Sequence, residues 1–315
     1  MKIIYMGTPE FAVEPLKKII SSHHEVVAVV TQPDKPVGRN KQLQQCPVKK
    51  MALENNIPVY QFNKIRLDGV ETINQIEADI IVTCAYGQIL SKEILFAKKF
   101  GVINIHGSLL PKYRGASPIQ SAIINGEKTT GITILKSDVG IDDGDMILKS
   151  ETSILENETY GELAARLSHI GAETVLVALD LIESGHAVYT KQNDAESSHC
   201  TMFPSDFGKL DFENTAADIV NLINGINPSP VAFMYINGKR YKVYNAHLYN
   251  DNNVALQDYR NGEVVIAKSK VGLIIKASDG LVSIDKIQAE NGKVLNIKDF
   301  LNSGKIVSGD IVSNE

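Results

Sequence analysis

The feature that most constrains this chain is an alternation, starting at its first residues, of short apolar runs with amphipathic segments. Lys2-Ile3-Ile4-Tyr5-Met6 runs into Gly7-Thr8-Pro9, and a stretch with Ala12, Leu16, Ile19 and Ile20 on one helical face follows. A second apolar run, Val26-Val27-Ala28-Val29-Val30, comes next. Continuous apolar strands flanking an amphipathic helix are what a parallel βαβ unit requires, because its strands are buried on both faces. The pattern then repeats. Residues 47–54, 70–76 and 92–98 read as helices, and residues 59–60, 79–84 and 102–106 as strands. Such repetition predicts an α/β domain with a Rossmann-like, mostly parallel sheet, whose ligand crevice lies outside the carboxyl ends of the strands.

After Gly131 the character changes. Residues 130–135 and 146–152 look extended, and residues 160–183 form a long helix with Leu163, Leu167 and Ile170 on one face. From 185 to 206 the chain is polar and weakly patterned, as in a linker. Beyond it stand short β-rich runs at 241–244, 263–268, 273–277 and 281–284, with Ser278-Asp279-Gly280 as a hairpin turn between the last two. These suggest a small barrel or sandwich. A length of 315 residues accommodates two domains. We place them at 1–206, a catalytic domain that includes the linker at about 185–206, and 207–315.

Composition narrows the function classes. Cys46, Cys84 and Cys200 stand far apart with no CxxC, which excludes a zinc finger and fits a reducing compartment. The apolar run at the start is too short for a signal peptide, and no stretch approaches the ~18 apolar residues of a membrane span. A cytoplasmic location is expected. The net charge of −5 argues mildly against a nucleic-acid partner, but binding surfaces are local. Residues 34–50 hold Lys35, Arg39, Lys41, Lys49 and Lys50 against Asp34 alone, a local net of +4. Its glycine and prolines suggest a shaped, exposed loop, either merely solvated or poised to meet a polyanion, with Arg39 the best single candidate.

Three segments bear on chemistry. The first βα turn, Gly7-Thr8-Pro9-Glu10-Phe11, lacks the GxGxxG spacing, so a nicotinamide cofactor is not expected there. Asn104 and His106 stand two apart at a strand's carboxyl end and share a face. A carboxamide and an imidazole there can stabilise a developing oxyanion and move a proton, or can form a structural pair. The run Asp138-Val139-Gly140-Ile141-Asp142-Asp143-Gly144-Asp145 does not have the spacing of a calcium loop. It is either a solvated acidic turn or the source of a carboxylate, Asp142, that orients His106.

The segments Asn104-x-His106, Gly107-Ser108-Leu109-Leu110-Pro111-Lys112-Tyr113-Arg114-Gly115-Ala116-Ser117-Pro118-Ile119 and Asp138-x-Gly140-x-Asp142-x-Gly144-Asp145 occur in this order. Together they resemble the formyltransferases that use 10-formyltetrahydrofolate. The resemblance implies Asn104, His106 and Asp142 as catalytic residues. It implies Ser108, Leu109, Leu110 and Pro111 as folate contacts, with Tyr86, Gly87, Gln88 and Ile89 as the pterin-side wall. Thr31-Gln32-Pro33-Asp34-Lys35-Pro36-Val37-Gly38-Arg39 and Ile226-Asn227-Pro228-x-Pro230 are similar to the branch whose acceptor is initiator methionyl-tRNA. That branch implies an OB-like β-barrel as the second domain and tRNA contacts from Arg39, Lys41, Lys239, Arg240 and Lys242. No metal is required, the formyl donor being already activated, and neither a membrane nor a protein partner is expected. A formyltransferase acting on a sugar-nucleotide amine shares the catalytic core, but needs neither the basic loop nor the second domain.

Overall fold

The computed structural model describes residues 1–37, 42–204, 206–251 and 253–313. They divide into two compact units. The first comprises Met1–Pro118, Thr129–Ser153 and Ala164–Cys200, and the second Ile119–Lys128, Ile154–Leu163 and Thr201–Glu315.

The first unit is built on a seven-stranded sheet. Its five parallel strands are Lys2–Gly7, Glu25–Thr31, Val59–Gln61, Ile80–Cys84 and Val102–His106. Lys2–Gly7 lies between Glu25–Thr31 and Ile80–Cys84, with Val59–Gln61 and Val102–His106 next outward. The order therefore reverses at the first strand, and the crevice of such a sheet opens at the carboxyl ends there. Thr129–Lys136 adds antiparallel to Val102–His106, and Met146–Ser153 adds antiparallel beyond it.

The unbroken apolar runs are explained by burial on both faces. Every residue of Ile80–Cys84 is buried. On one face Ile4, Met6, Ala28, Val30 and Ile81 pack against Ile65, Ile73 and Ile94 from the covering helices. Burying each such side chain contributes about 1.5–3 kcal/mol. The helices anticipated at 47–54 and 160–183 span Pro47–Glu54 and Tyr160–Glu183. The one at 92–98 is shorter, Lys92–Leu95, because the chain bends at Phe96 and closes a turn from Gly101 N to Lys98 O (2.9 Å).

The second unit is a curled antiparallel sheet, a half-barrel. Its long strands Lys239–Tyr249 and Leu281–Ala289 pair in the middle, flanked by Ala232–Ile236 on one side and by Gly272–Lys276 and Val264–Lys268 on the other. The C-terminal stretch draws the two edges together. Val312–Ser313 pairs with Ala232–Ile236, while Val264 N donates to Asp310 O and Val312 N to Gly262 O, both at 2.8 Å. A helix not anticipated from sequence, Ala216–Gly225, packs Ile219, Val220 and Ile223 against Val243, Ala246 and Ile284. Thr215 caps it, accepting from Asp218 N (3.1 Å).

Among the described residues, no helix is long and apolar enough to cross a membrane.

Candidate active site

Val102–His106 delivers Asn104 and His106 to the carboxyl end of the sheet on the same face, as strand periodicity requires. Thr83, on the neighbouring strand, is in register with Asn104. Its hydroxyl donates to Asn104 Oδ1 (2.9 Å). Asn104 Nδ2 donates to Asp142 Oδ1 at 3.1 Å, and because a carboxylate only accepts, this bond fixes which end of the amide is which.

Asp142 reaches this place from a loop 38 residues further on. It takes a left-handed backbone conformation, φ 52°, which aspartate tolerates better than most residues. Besides Asn104, Gly115 and Gln192 hold the loop from outside it. Gly115 N donates to Oδ2 (3.0 Å), and Gln192 Nε2 donates to the backbone oxygens of Asp142 (2.7 Å) and Gly144 (2.8 Å). Arg114, 5% exposed, donates through Nε to Gln192 Oε1 (2.9 Å) and through its terminal nitrogen to Asp194 (2.8 Å). Two glycines permit this packing. A Cβ at Gly144 would stand 1.8 Å from Lys136 O, and one at Gly115, where φ is +117°, would stand 2.1 Å from Cys200 O.

His106 is 4% exposed and its ring faces an oxygen on each side. Nε2 lies 2.8 Å from the carbonyl of Tyr113 and Nδ1 3.5 Å from Asp142 Oδ2. A carbonyl can only accept, so Nε2 carries a proton and Nδ1 is the nitrogen turned toward Asp142. A proton arriving at this pair is shared between an imidazole and a carboxylate within ion-pair reach. Cys84, just beyond Thr83, is not a rival nucleophile, since burial pushes its thiol up to about 12.

The segment after His106 is pinned from below. Thr133, fully buried and in register with His106, donates to Ser108 O (2.7 Å) and accepts from Leu110 N (3.1 Å). Ser108 Oγ donates to Lys112 O (2.7 Å), Leu110 packs with Leu135 and Met146, and the Lys149 ammonium donates to Leu110 O. The Leu110–Pro111 peptide is cis. Leu109 and Pro111 remain half-buried.

The 86–89 segment leaves the adjacent strand end. Tyr86 points its ring into the core, where burial raises its phenol's pKa. Its carbonyl accepts from Thr8 Oγ1 and Gln32 Nε2, both at 3.2 Å. Gln88 accepts from Ile65 N (2.8 Å) and donates to Phe62 O (2.8 Å), so its amide laces neighbouring turns together. Gly87 and Ile89 are exposed.

The structure thus brings Asn104, His106 and Asp142 together and places the 86–89 and 108–111 segments on neighbouring strand ends. Of the basic loop, Arg39 and Lys41 lie outside the described residues. Lys49 is committed to Asp34 at 2.6 Å, and that bond holds the Asp34 carboxyl below its usual range. Lys239, Arg240 and Lys242 are exposed on the strand Lys239–Tyr249 of the second unit, with the Arg240 guanidinium 3.8 Å from the centre of the Phe233 ring. Thr83, Arg114, Gly115, Thr133 and Gln192 were not singled out as functional from sequence. Only the Arg114-Gly115 pair had a signal, its place in the run after His106 that carries the family resemblance, because bonds to backbone carbonyls leave no periodic trace.

Known proteins match the chain along its whole length. A family model described as "Formyl transferase" matches residues 1–179, and one described as "Formyl transferase, C-terminal domain" matches residues 204–305. The methionyl-tRNA formyltransferase of Alkaliphilus metalliredigens is 44% identical over 316 aligned positions, covering 100% of this chain and 99% of the relative. That of Clostridioides difficile is 44% identical over 310, covering 98% and 99%. Among solved structures, the N-formyltransferase from Helicobacter canadensis, in complex with folinic acid and dTDP-3-aminofucose, superposes with a TM-score of 0.69. It is 22% identical, with 92% of this chain and 100% of that one covered, a likeness of fold. With both domain models matched in order and full-length relatives at this identity, the chain belongs to the formyl transferase family.

Proposed function

We propose that this chain transfers the formyl group of 10-formyltetrahydrofolate to the α-amine of methionine carried by initiator tRNA, supplying formylmethionyl-tRNA for translation initiation in the cytoplasm. The observation that carries the reading is the convergence of Asn104, His106 and Asp142 at the strand ends, in a chain whose full-length relatives at 44% identity are methionyl-tRNA formyltransferases.

The amine attacks the formyl carbon, and the carbonyl π pair moves onto oxygen. Asn104 spends one N–H on Asp142 and has a second to donate to that oxyanion. The amine nitrogen sheds its proton to the His106–Asp142 pair, where Nδ1 and Oδ2 face each other. Collapse of the intermediate breaks the bond from the formyl carbon to the folate nitrogen, which leaves with a proton. Thr83 and the Asp142 carboxylate hold the Asn104 amide in place, and the Gln192–Arg114 contacts keep Asp142 in reach. Ser108, Leu109, Leu110 and Pro111 form the folate cradle on a segment already fixed by Thr133 and Lys149. The pterin-side wall is the 86–89 segment, with Gly87 and Ile89 as its open surface and Tyr86 and Gln88 as its supports. The acceptor tRNA is gripped by Arg39 and Lys41 and by Lys239, Arg240 and Lys242.

The test supplies formyl-labelled folate with either charged initiator tRNA or an amino-sugar nucleotide. Label in methionyl-tRNA supports the reading, and label in the sugar overturns it. Within the tRNA assay, Asn104→Ala is expected to lower kcat by about 10²–10³-fold and His106→Ala by about 10²–10⁴-fold. Near wild-type turnover in either variant would remove that residue from the chemistry.

A further inference from the structure

We propose that His23, His24, Asp180 and Glu183 form a binding site for one divalent ion of the zinc class, on the first unit and separate from the catalytic residues.

His23 and His24 sit in the tight turn between the helix Val13–Ile20 and the strand Glu25–Thr31. Asp180 and Glu183 lie three apart in the last turn of Tyr160–Glu183 and so share a face. Each of the four residues offers a donor atom, and the four donors all lie within 4.8 Å of one another. His24 Nε2 is 3.1 Å from Asp180 Oδ1, His23 Nε2 is 3.5 Å from the same oxygen, and His23 Nε2 is 3.1 Å from Glu183 Oε2. Ligands about 2.05 Å from a tetrahedral ion stand about 3.3 Å from each other. Three edges of such a polyhedron are therefore present at nearly the right length.

The surroundings point the same way. A helix's C-terminal turn carries negative partial charge, so two carboxylates there are unfavourable unless a cation answers them. The Met1 ammonium answers one oxygen, donating to Glu183 Oε1 at 2.9 Å. Asp180 and the other Glu183 oxygen face the two imidazoles. The His24 side chain is fully buried, with Nδ1 3.2 Å from the Met1 ammonium, which leaves Nε2 turned toward Asp180. Asp180, Glu183 and His23 remain exposed, which leaves a path for an ion to enter. Two imidazoles with two carboxylates suit zinc better than calcium or magnesium, which take all-oxygen sites. A bound ion would tie the end of the long helix to the start of the second strand of the sheet.

The full-length chain, stripped with chelator and desalted, would be titrated with Zn²⁺ by calorimetry and with Co²⁺ by visible absorption. The expected result is one ion per chain at micromolar or tighter affinity, with the intense bands of four-coordinate Co²⁺. Zn²⁺ should also raise Tm by roughly 2–4 °C. The double variant His23→Ala with Asp180→Asn changes only exposed side chains, so it should fold while losing the Co²⁺ bands and weakening Zn²⁺ at least about tenfold. His106→Ala should bind as the wild type does. The proposal is overturned by the absence of saturable binding, by a pale six-coordinate Co²⁺ spectrum, by binding unchanged in the double variant, or by binding lost in His106→Ala.

Discussion

Replacing Gln192 by methionine, which keeps the side chain's length and removes its hydrogen bonds, isolates what holds Asp142 in place. Gln192 donates twice, to the backbone oxygens of Asp142 and Gly144, and accepts once from Arg114 Nε. Each donated bond contributes about 0.5–1.5 kcal/mol net. Asp142 sits at a φ of 52°, a conformation costing about 1–2 kcal/mol that the loop would relax once released. The direct bonds from Gly115 and Asn104 to the carboxylate remain, so part of the restraint survives. Together these leave the Asp142 loop less firmly placed by about 1–3 kcal/mol. At about 1.36 kcal/mol per factor of ten, kcat falls by roughly fivefold to 150-fold. Steady-state formylation of initiator methionyl-tRNA at varied folate measures it. KM for folate should change little, because neither Gln192 nor Asp142 belongs to the folate cradle proposed at 108–111. Urea unfolding, run in parallel, should show a loss of about 1–3 kcal/mol from leaving the buried Arg114 with one partner fewer. A variant that stays folded at the assay temperature with kcat within about twofold of wild type would refute the argument, because the energies above put the least effect near fivefold.

Four further outcomes follow from the same geometry. Thr83→Val removes the hydroxyl that donates to Asn104 Oδ1 and steadies the amide; kcat in the formylation assay should fall by about five- to tenfold, at about 1 kcal/mol for the lost bond. Gly131→Ala places a Cβ 2.1 Å from Ser150 O and 2.6 Å from Leu109 Cδ2, so urea unfolding should show a loss of about 1–3 kcal/mol. Arg240→Ala should weaken tRNA binding and reduce the slope of log affinity against log salt by about one, with a smaller effect on the slope if the guanidinium serves only to cover Phe233. Glu162 accepts from Thr159 N and Oγ1 in a capping box, and these bonds, the side-chain one first, hold its carboxyl below the usual 4.5. A depressed folded-state pKa stabilises fully above the unfolded value and loses that contribution as pH falls through the folded one. Wild type should therefore exceed Glu162→Gln in urea midpoint at pH 7, and the gap should close as pH falls below about 4.5.

How much of this was legible in the sequence depends on whether burial or bonding set the element. The parallel strands were readable because burial on both faces makes them unbroken apolar runs, and Ile80–Cys84 is buried throughout. The strand order was not, because the reversal at Lys2–Gly7 depends on which crossover covers which face. Asn104 and His106 could be paired from spacing alone, since period two is local. Asp142 could not be joined to them by spacing, and only the family resemblance supplied it. The contacts that deliver it come from Gly115 N and Gln192 Nε2, and one of these residues lies in a polar stretch with no periodicity. That stretch, read as part of a linker, pairs His199–Cys200 with Arg114–Gly115 and lays Gln192 along the Asp142 loop. Tyr86 and Gln88 make the opposite point. A motif match put them on the folate wall, whereas their side chains are spent on the core and on neighbouring turns. Motif resemblance locates a backbone segment at a site, and hydrogen-bond accounting then decides which side chains in it remain free to meet a ligand.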